Sequence, residues 1–129
     1  MKRTLFLDAD ALIEMHEMLL EQWGGDDGGG HRGPVYEGAD AAVQAVKNSY
    51  YDTLEELAAA YAVYIVQGHV FLDGNKRTGA AAMVTFLEIN GCRSRISNSK
   101  LKKAMLVLQA RAERGERTDS LVQWVASLL

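Results

Sequence analysis

Thr53-Leu54-Glu55-Glu56-Leu57-Ala58-Ala59-Ala60-Tyr61-Ala62-Val63-Tyr64-Ile65-Val66 is the stretch on which the fold turns. It opens with a capping box: the Thr53 hydroxyl can accept from the amide three residues on, while the Glu56 carboxylate reaches back. From Ala58 to Val66 it is apolar or aromatic nearly all round. A helix with no polar face must be buried on every side, so this is a central helix. Gly68 supplies a stop signal. A second run follows from about Lys76 to Asn90, with Gly91 as its stop. It is also apolar on most sides, through Ala80, Ala81, Ala82, Met83, Val84, Phe86, Leu87 and Ile89. The two most buried helices are therefore joined by the short polar loop Gly68–Asn75, which lies beside the core.

Working outward, Asp8 or Asp10 can cap a first helix running to about Trp23. Its stripe is Leu12, Met15, His16, Leu19 and Trp23. The segment Gly24–Gly38 holds seven of the chain's 12 glycines and breaks regular structure. Irregular chain of that length inside a compact domain suits either a functional loop or a connector. A short helix follows, with Ala39, Ala42, Val43 and Val46 on one side. After Cys92–Ile96, read as a short extended piece, a helix near Ser99–Glu113 carries Leu101, Ala104, Met105, Leu108 and Ala112. A last helix near Thr118–Leu129 presents Leu121, Val125 and Leu128. The pattern predicts an all-α fold, a compact bundle of about six helices in one domain spanning residues 1–129.

Composition narrows the setting. The chain has 129 residues, 48% apolar, enough for a core without metal or disulfide staples. A single cysteine, Cys92, forbids an intrachain disulfide and fits a reducing, cytoplasmic compartment. No apolar run approaches the ~20 residues of a membrane span, and Asp8 and Asp10 interrupt any signal-peptide stretch. The net charge of −3 provides no global field for nucleic acid, so no direct nucleic-acid partner and no membrane are expected. Any anion must be caught by a local site.

The loop Gly68-His69-Val70-Phe71-Leu72-Asp73-Gly74-Asn75-Lys76-Arg77-Thr78 offers one. Asn75 is a good N-cap, which makes Lys76 and Arg77 the first helical residues. Cations have the wrong sign at a helix start, where acidic residues are favoured by ~0.3–1 kcal/mol. An anion among them resolves the conflict, and a helix N-terminus preceded by Gly74 is a natural phosphate site. Asp73 would repel phosphate unless it serves as a ligand for Mg²⁺, which is commonly held by one carboxylate plus phosphate oxygens; its alternative is a turn residue in Asp-Gly. His69 is the side chain able to take a proton near neutral pH. Val70, Phe71 and Leu72 would anchor the loop on the core. Base, metal ligand and cationic cradle together suit transfer of a phosphate-containing group from a nucleoside triphosphate to a hydroxyl. No P-loop sequence occurs, and the length and motifs of the common protein-kinase fold are absent.

These residues resemble the Fic/Doc signature H-x-F-x-[DE]-[AG]-N-[GK]-R, which reads here His69-x-Phe71-x-Asp73-Gly74-Asn75-Lys76-Arg77. The resemblance covers about residues 5–95, including a first helix ending in Gly24-Gly25. It points to the death-on-curing (Doc) branch: the chain is short, Lys76 stands where AMP-transferring Fic enzymes have glycine, and Ala80 stands where those have a second arginine. The resemblance implies a six-helix Fic fold and a toxin of a toxin–antitoxin pair, using ATP and Mg²⁺ to phosphorylate a threonine of elongation factor Tu and so block translation. It implies a cognate antitoxin whose flexible tail folds onto the toxin. By the same carry-over His69 is the general base, Asp73 the magnesium ligand, and Gly74, Asn75, Lys76 and Arg77 hold phosphates, with Lys76 and Arg77 also serving catalysis. Phe71 would pack inward. Gly30-His31-Arg32-Gly33 departs from the family's Gly-Ile-Arg-Asp stretch by losing the aspartate. A Fic-type AMP transferase and an inactive antitoxin-binding module are the alternatives. Lys76 and Ala80 disfavour the first; intact His69, Asp73 and Asn75 disfavour the second.

Elsewhere, His16 on an apolar stripe reads as a core or boundary histidine making a hydrogen bond, and His31 as solvated. The three histidines and Cys92 lack zinc spacing, so no structural metal is expected. Cys92 reads as a small buried hydrophobe. Arg93, Arg95, Lys100, Lys102 and Lys103 read as a solvated basic face. Gly79, which costs ~1 kcal/mol in a helix against alanine, indicates close packing on a neighbouring helix.

Overall fold

The structure, a computed structural model, describes residues 3–23, 35–71 and 73–129. It contains six helices and, among the described residues, no strand: α1 (Ala9–Trp23), α2 (Val35–Lys47), α3 (Leu54–Gly68), α4 (Asn75–Ile89), α5 (Asn98–Glu113) and α6 (Thr118–Ala126). The all-α expectation holds. So does the capping box: Glu56 N–H donates to Thr53 Oγ1 at 3.1 Å, and Thr53 N–H donates to Glu56 Oε1 at 3.3 Å. The second oxygen of the Glu56 carboxylate accepts from Gln123 on α6 at 2.7 Å. Hydrogen bonds from Gln123 and Thr53 hold this carboxyl below its ordinary pKa.

α3 is the central helix, packed against α2, α4, α5 and α6, and most extensively against α4. Residues Leu57 to Val63, with Ile65 and Val66, are buried. Gly79 sits where α4 crosses α3. A Cβ there would lie 3.3 Å from the Ala62 Cα and 3.2 Å from Met105 Cε, so the helix-propensity cost of glycine is the condition for close approach. Asp8 is the cap of α1, accepting from Ala11 N–H at 2.8 Å. The segment before α1 is held by two side chains that complete its backbone bonding. Tyr61 Oη accepts from Leu7 N–H (2.9 Å) and donates to Leu7 O (3.2 Å), and the Asn90 amide does the same for Leu5. At the far end, Arg111 makes a two-pronged ion pair with Glu116 and covers the Trp124 ring, fixing the α5–α6 turn.

Several boundaries move. Val35–Gly38, read as the end of an irregular segment, is the first turn of α2. Gly24–Pro34, with His31 and the Gly30–Gly33 stretch, lies outside the described residues, as do Leu72 and the Trp23 side chain. Cys92–Ile96 forms no strand, and Cys92 is half-buried against the core. Arg93, Arg95, Lys100, Lys102 and Lys103 are exposed, as expected. Among the described residues no helix is long and apolar enough to cross a membrane.

Tyr61→Phe leaves the buried Leu7 amide without its acceptor and should cost about 1–3 kcal/mol in urea unfolding at neutral pH. Burial raises the Tyr61 pKa from 10.0 to about 12, so the native state resists its ionisation while the unfolded state does not. Wild-type stability should therefore fall as pH rises above 10.0, and the stability gap to Tyr61→Phe should narrow over that window.

Candidate active site at the joint between α3 and α4

The buried pair α3–α4 leaves its connection little freedom, and the loop uses it in an unusual way. α3 ends with His69 itself as the C-cap, at φ 45 and ψ 49, the left-handed region. Among the described residues it is the one non-glycine with positive φ. The adjacent Gly68, read from sequence as the stop, remains helical. Histidine accepts this conformation more readily than most side chains, yet at a cost of order 1 kcal/mol relative to glycine. Strain of this kind concentrates at functional sites. It fixes the direction in which the imidazole leaves the helix end. The side chain is exposed and borders a small depression of about 150 Å³ with Gln67, Gln109 and Glu113.

Past His69 the chain turns inward. Phe71 is 2% exposed and Val70 packs against the core, so both anchor the loop as expected. Asn75 departs from its expected part. The N-cap of α4 is Gly74, and Asn75 is the first helical residue. Its side-chain amide clamps the Phe71 backbone on both sides: Phe71 N–H donates to Oδ1 at 3.0 Å and Nδ2 donates to Phe71 O at 2.8 Å. The asparagine is thus a brace for the loop's other end. A contribution to phosphate binding would come from its main chain at the helix start.

Asp73 is half-buried, and its Oδ1 accepts from the Gly74 amide at 2.8 Å. The turn role is therefore real; a metal role is compatible with it, since a carboxylate has several lone pairs. Gly74 has φ 83 and ψ 15. A Cβ there would meet His16 Cδ2 at 3.4 Å, an ordinary contact, so the dihedral rather than the space demands glycine. His16 is buried, as a hydrogen-bonding core histidine should be.

Lys76 and Arg77 occupy the first turn of α4, which contains no acidic residue. The first-turn amides of any helix lack intrahelical acceptors and carry about half a positive charge between them. Both cations border a groove of about 590 Å³ between α1, α4 and α5. Asn98 and Lys102 add polar groups to its lining, and Leu19, Ala80, Leu101, Met105 and Leu106 give it apolar walls. Lys102 was read only as part of a solvated face; its place in the groove follows from how α5 docks on α4, which periodicity does not report. His69 borders the other depression, so the imidazole and the two cations approach the joint from different sides.

A family model described as the Fic/DOC family matches residues 6–87. The chain belongs to the Fic/Doc family. A relative, "Protein kinase doc" of Escherichia phage P1, is 34% identical over 86 residues, which are 66% of this chain and 68% of the relative. The Fic/Doc signature coincides with the structural joint: its histidine is the strained cap, its phenylalanine the buried anchor, its asparagine the brace.

The brace predicts its own test. Asn75→Ala removes two hydrogen bonds and should destabilise the fold by about 1–3 kcal/mol. Amide exchange should quicken around residues 71–75 while α5 and α6 keep their protection.

Proposed function

We propose that this Fic/Doc protein is a Doc-like toxin that transfers the γ-phosphate of ATP to a hydroxyl of a translation factor, elongation factor Tu, and so blocks translation in the cytoplasm. The observation that carries the reading is the α3–α4 joint: an exposed histidine held at the end of α3, six residues before a helix start that carries two cations and no acid. The printed name of the phage relative, a protein kinase, supports phosphate transfer over AMP transfer. Ala80 supports it too. A small side chain beside Lys76 and Arg77 leaves the groove open for the body of the nucleotide, whose terminal phosphate then reaches the joint.

In this reading the acceptor hydroxyl approaches His69, whose imidazole takes its proton. The hydroxyl oxygen forms a bond to the γ-phosphorus as the bond to the bridging oxygen breaks, and ADP leaves. The Gly74–Arg77 helix start holds the phosphate oxygens, with Lys76 and Arg77 neutralising charge on the transferring group. The donor set fits magnesium held jointly with the nucleotide: no cluster of three metal-ligating side chains exists among the described residues, but a single carboxylate, Asp73, stands at the loop. When bound there, the ion would supply neutralisation of phosphate charge.

The same groove suits the antitoxin. Apolar walls with Lys76, Arg77 and Lys102 beside them match an amphipathic, acidic segment that folds on binding. Such a tail would cover both cations and contact α1 through Leu19.

Incubation of the protein with a cell lysate and ATP labelled at either the α- or the γ-phosphate tests the reading. Label should pass to protein from the γ position alone, and His69→Ala should reduce it roughly 10²–10⁴-fold with the fold intact. Robust α-label transfer would establish an AMP transferase instead. Asp73→Asn should shift the magnesium requirement for ATP binding upward, because a neutral amide is a poorer ligand for a hard cation; an unchanged requirement in equilibrium titrations would leave Asp73 to the turn alone.

A further inference from the structure

The motif accounts for the loop's first anchor, through Phe71 and Asn75, but not for what fixes the corner at Asp73–Gly74. We propose that His16, on α1 and outside the signature, is the positioning residue that sets this corner and hence the Asp73 carboxylate. The inference rests on the reading of Asp73 as the magnesium carboxylate for its functional consequence, though not for its geometry.

His16 is 1% exposed. Its ring lies flat on Phe71, with centroids 3.9 Å apart and planes 7° from parallel. Its Nε2 lies 2.7 Å from the Asp73 carbonyl oxygen. A carbonyl can only accept, so Nε2 carries the proton and donates. Its Cδ2 faces Gly74, in contact range of the position a Cβ would occupy. One side chain therefore touches the buried anchor, the turn carbonyl and the N-cap of α4. An apolar residue on the α1 stripe would serve packing alone. Histidine adds a donor aimed at the carbonyl of Asp73, the same residue whose carboxylate accepts from the Gly74 amide. With the Asn75 clamp, the loop is pinned at both ends: by α4 at Phe71 and by α1 at Asp73. A shift of this carbonyl rotates the Asp73 backbone and carries the carboxylate with it.

Three measurements test this. In the wild-type protein, nitrogen-15 NMR should find the His16 Nε2 proton slow to exchange and coupled to a carbonyl acceptor; a fast-exchanging proton, or a proton on Nδ1 alone, overturns the proposal. His16→Phe keeps a ring over Phe71 and loses the donor, whereas His16→Gln keeps a donor and loses the ring. Amide exchange at residues 73–75 should quicken about tenfold in His16→Phe, the scale of one lost hydrogen bond, and recover in part in His16→Gln. The magnesium concentration for half-maximal binding of a fluorescent ATP analogue should rise in His16→Phe and recover in the same order. A purely structural histidine would lower the melting temperature without moving either readout, and that result overturns the proposal. Failure of the wild-type protein to bind magnesium and ATP would overturn the functional reading of Asp73 and leave the exchange result to decide the positioning.

Discussion

The close approach of α4 to α3, where a Cβ on Gly79 would crowd the Ala62 backbone at 3.3 Å, is the constraint from which the rest follows. Two helices with almost no polar surface must bury each other, and a backbone-to-backbone contact fixes both their separation and their relative rise. Once that is fixed, the connection has few residues in which to leave one core helix and enter the next. It cannot relax by lengthening. The strained cap at His69, the inward turn at Phe71 and the positive φ of Gly74 are the local consequences.

A short loop under that constraint needs bracing, and the bracing comes from polar groups placed against its backbone. Asn75 takes both the N–H and the C=O of Phe71, and His16 takes the carbonyl of Asp73. The same device recurs at the other end of the bundle, where Tyr61 and Asn90 complete the backbone bonding of residues 5–7. In each case a side chain stands in for the strand or helix partner that an isolated segment lacks. Where the groups are buried, as at Tyr61 and Leu7, the cost is offset because donor and acceptor find each other.

The helix start shows a different economy. Lys76 and Arg77 oppose the α4 dipole, so local electrostatics alone would disfavour them. The fold tolerates the conflict because α4 is secured by its buried face, through Ala82, Met83, Phe86 and Leu87. Stability drawn from packing leaves the exposed first turn able to carry charges that suit an anion instead of the helix.

The order of helices, the buried nature of α3 and α4, the Thr53–Glu56 cap and the close packing at Gly79 were all legible in the sequence. Each is a local matter of periodicity, capping chemistry or the absence of a side chain. The identity of the loop's polar residues was legible as well, because cations at a helix start break a rule that needs no neighbour to state. Their division of labour was not. That His69 rather than Gly68 takes the left-handed cap, that Asn75 braces Phe71 instead of capping α4, and that His16 reaches a carbonyl 57 residues away depend on where helices cross. A one-dimensional pattern records which face of a helix is apolar, but not which atom of another helix will lie opposite it. That is set only when the helices pack in three dimensions.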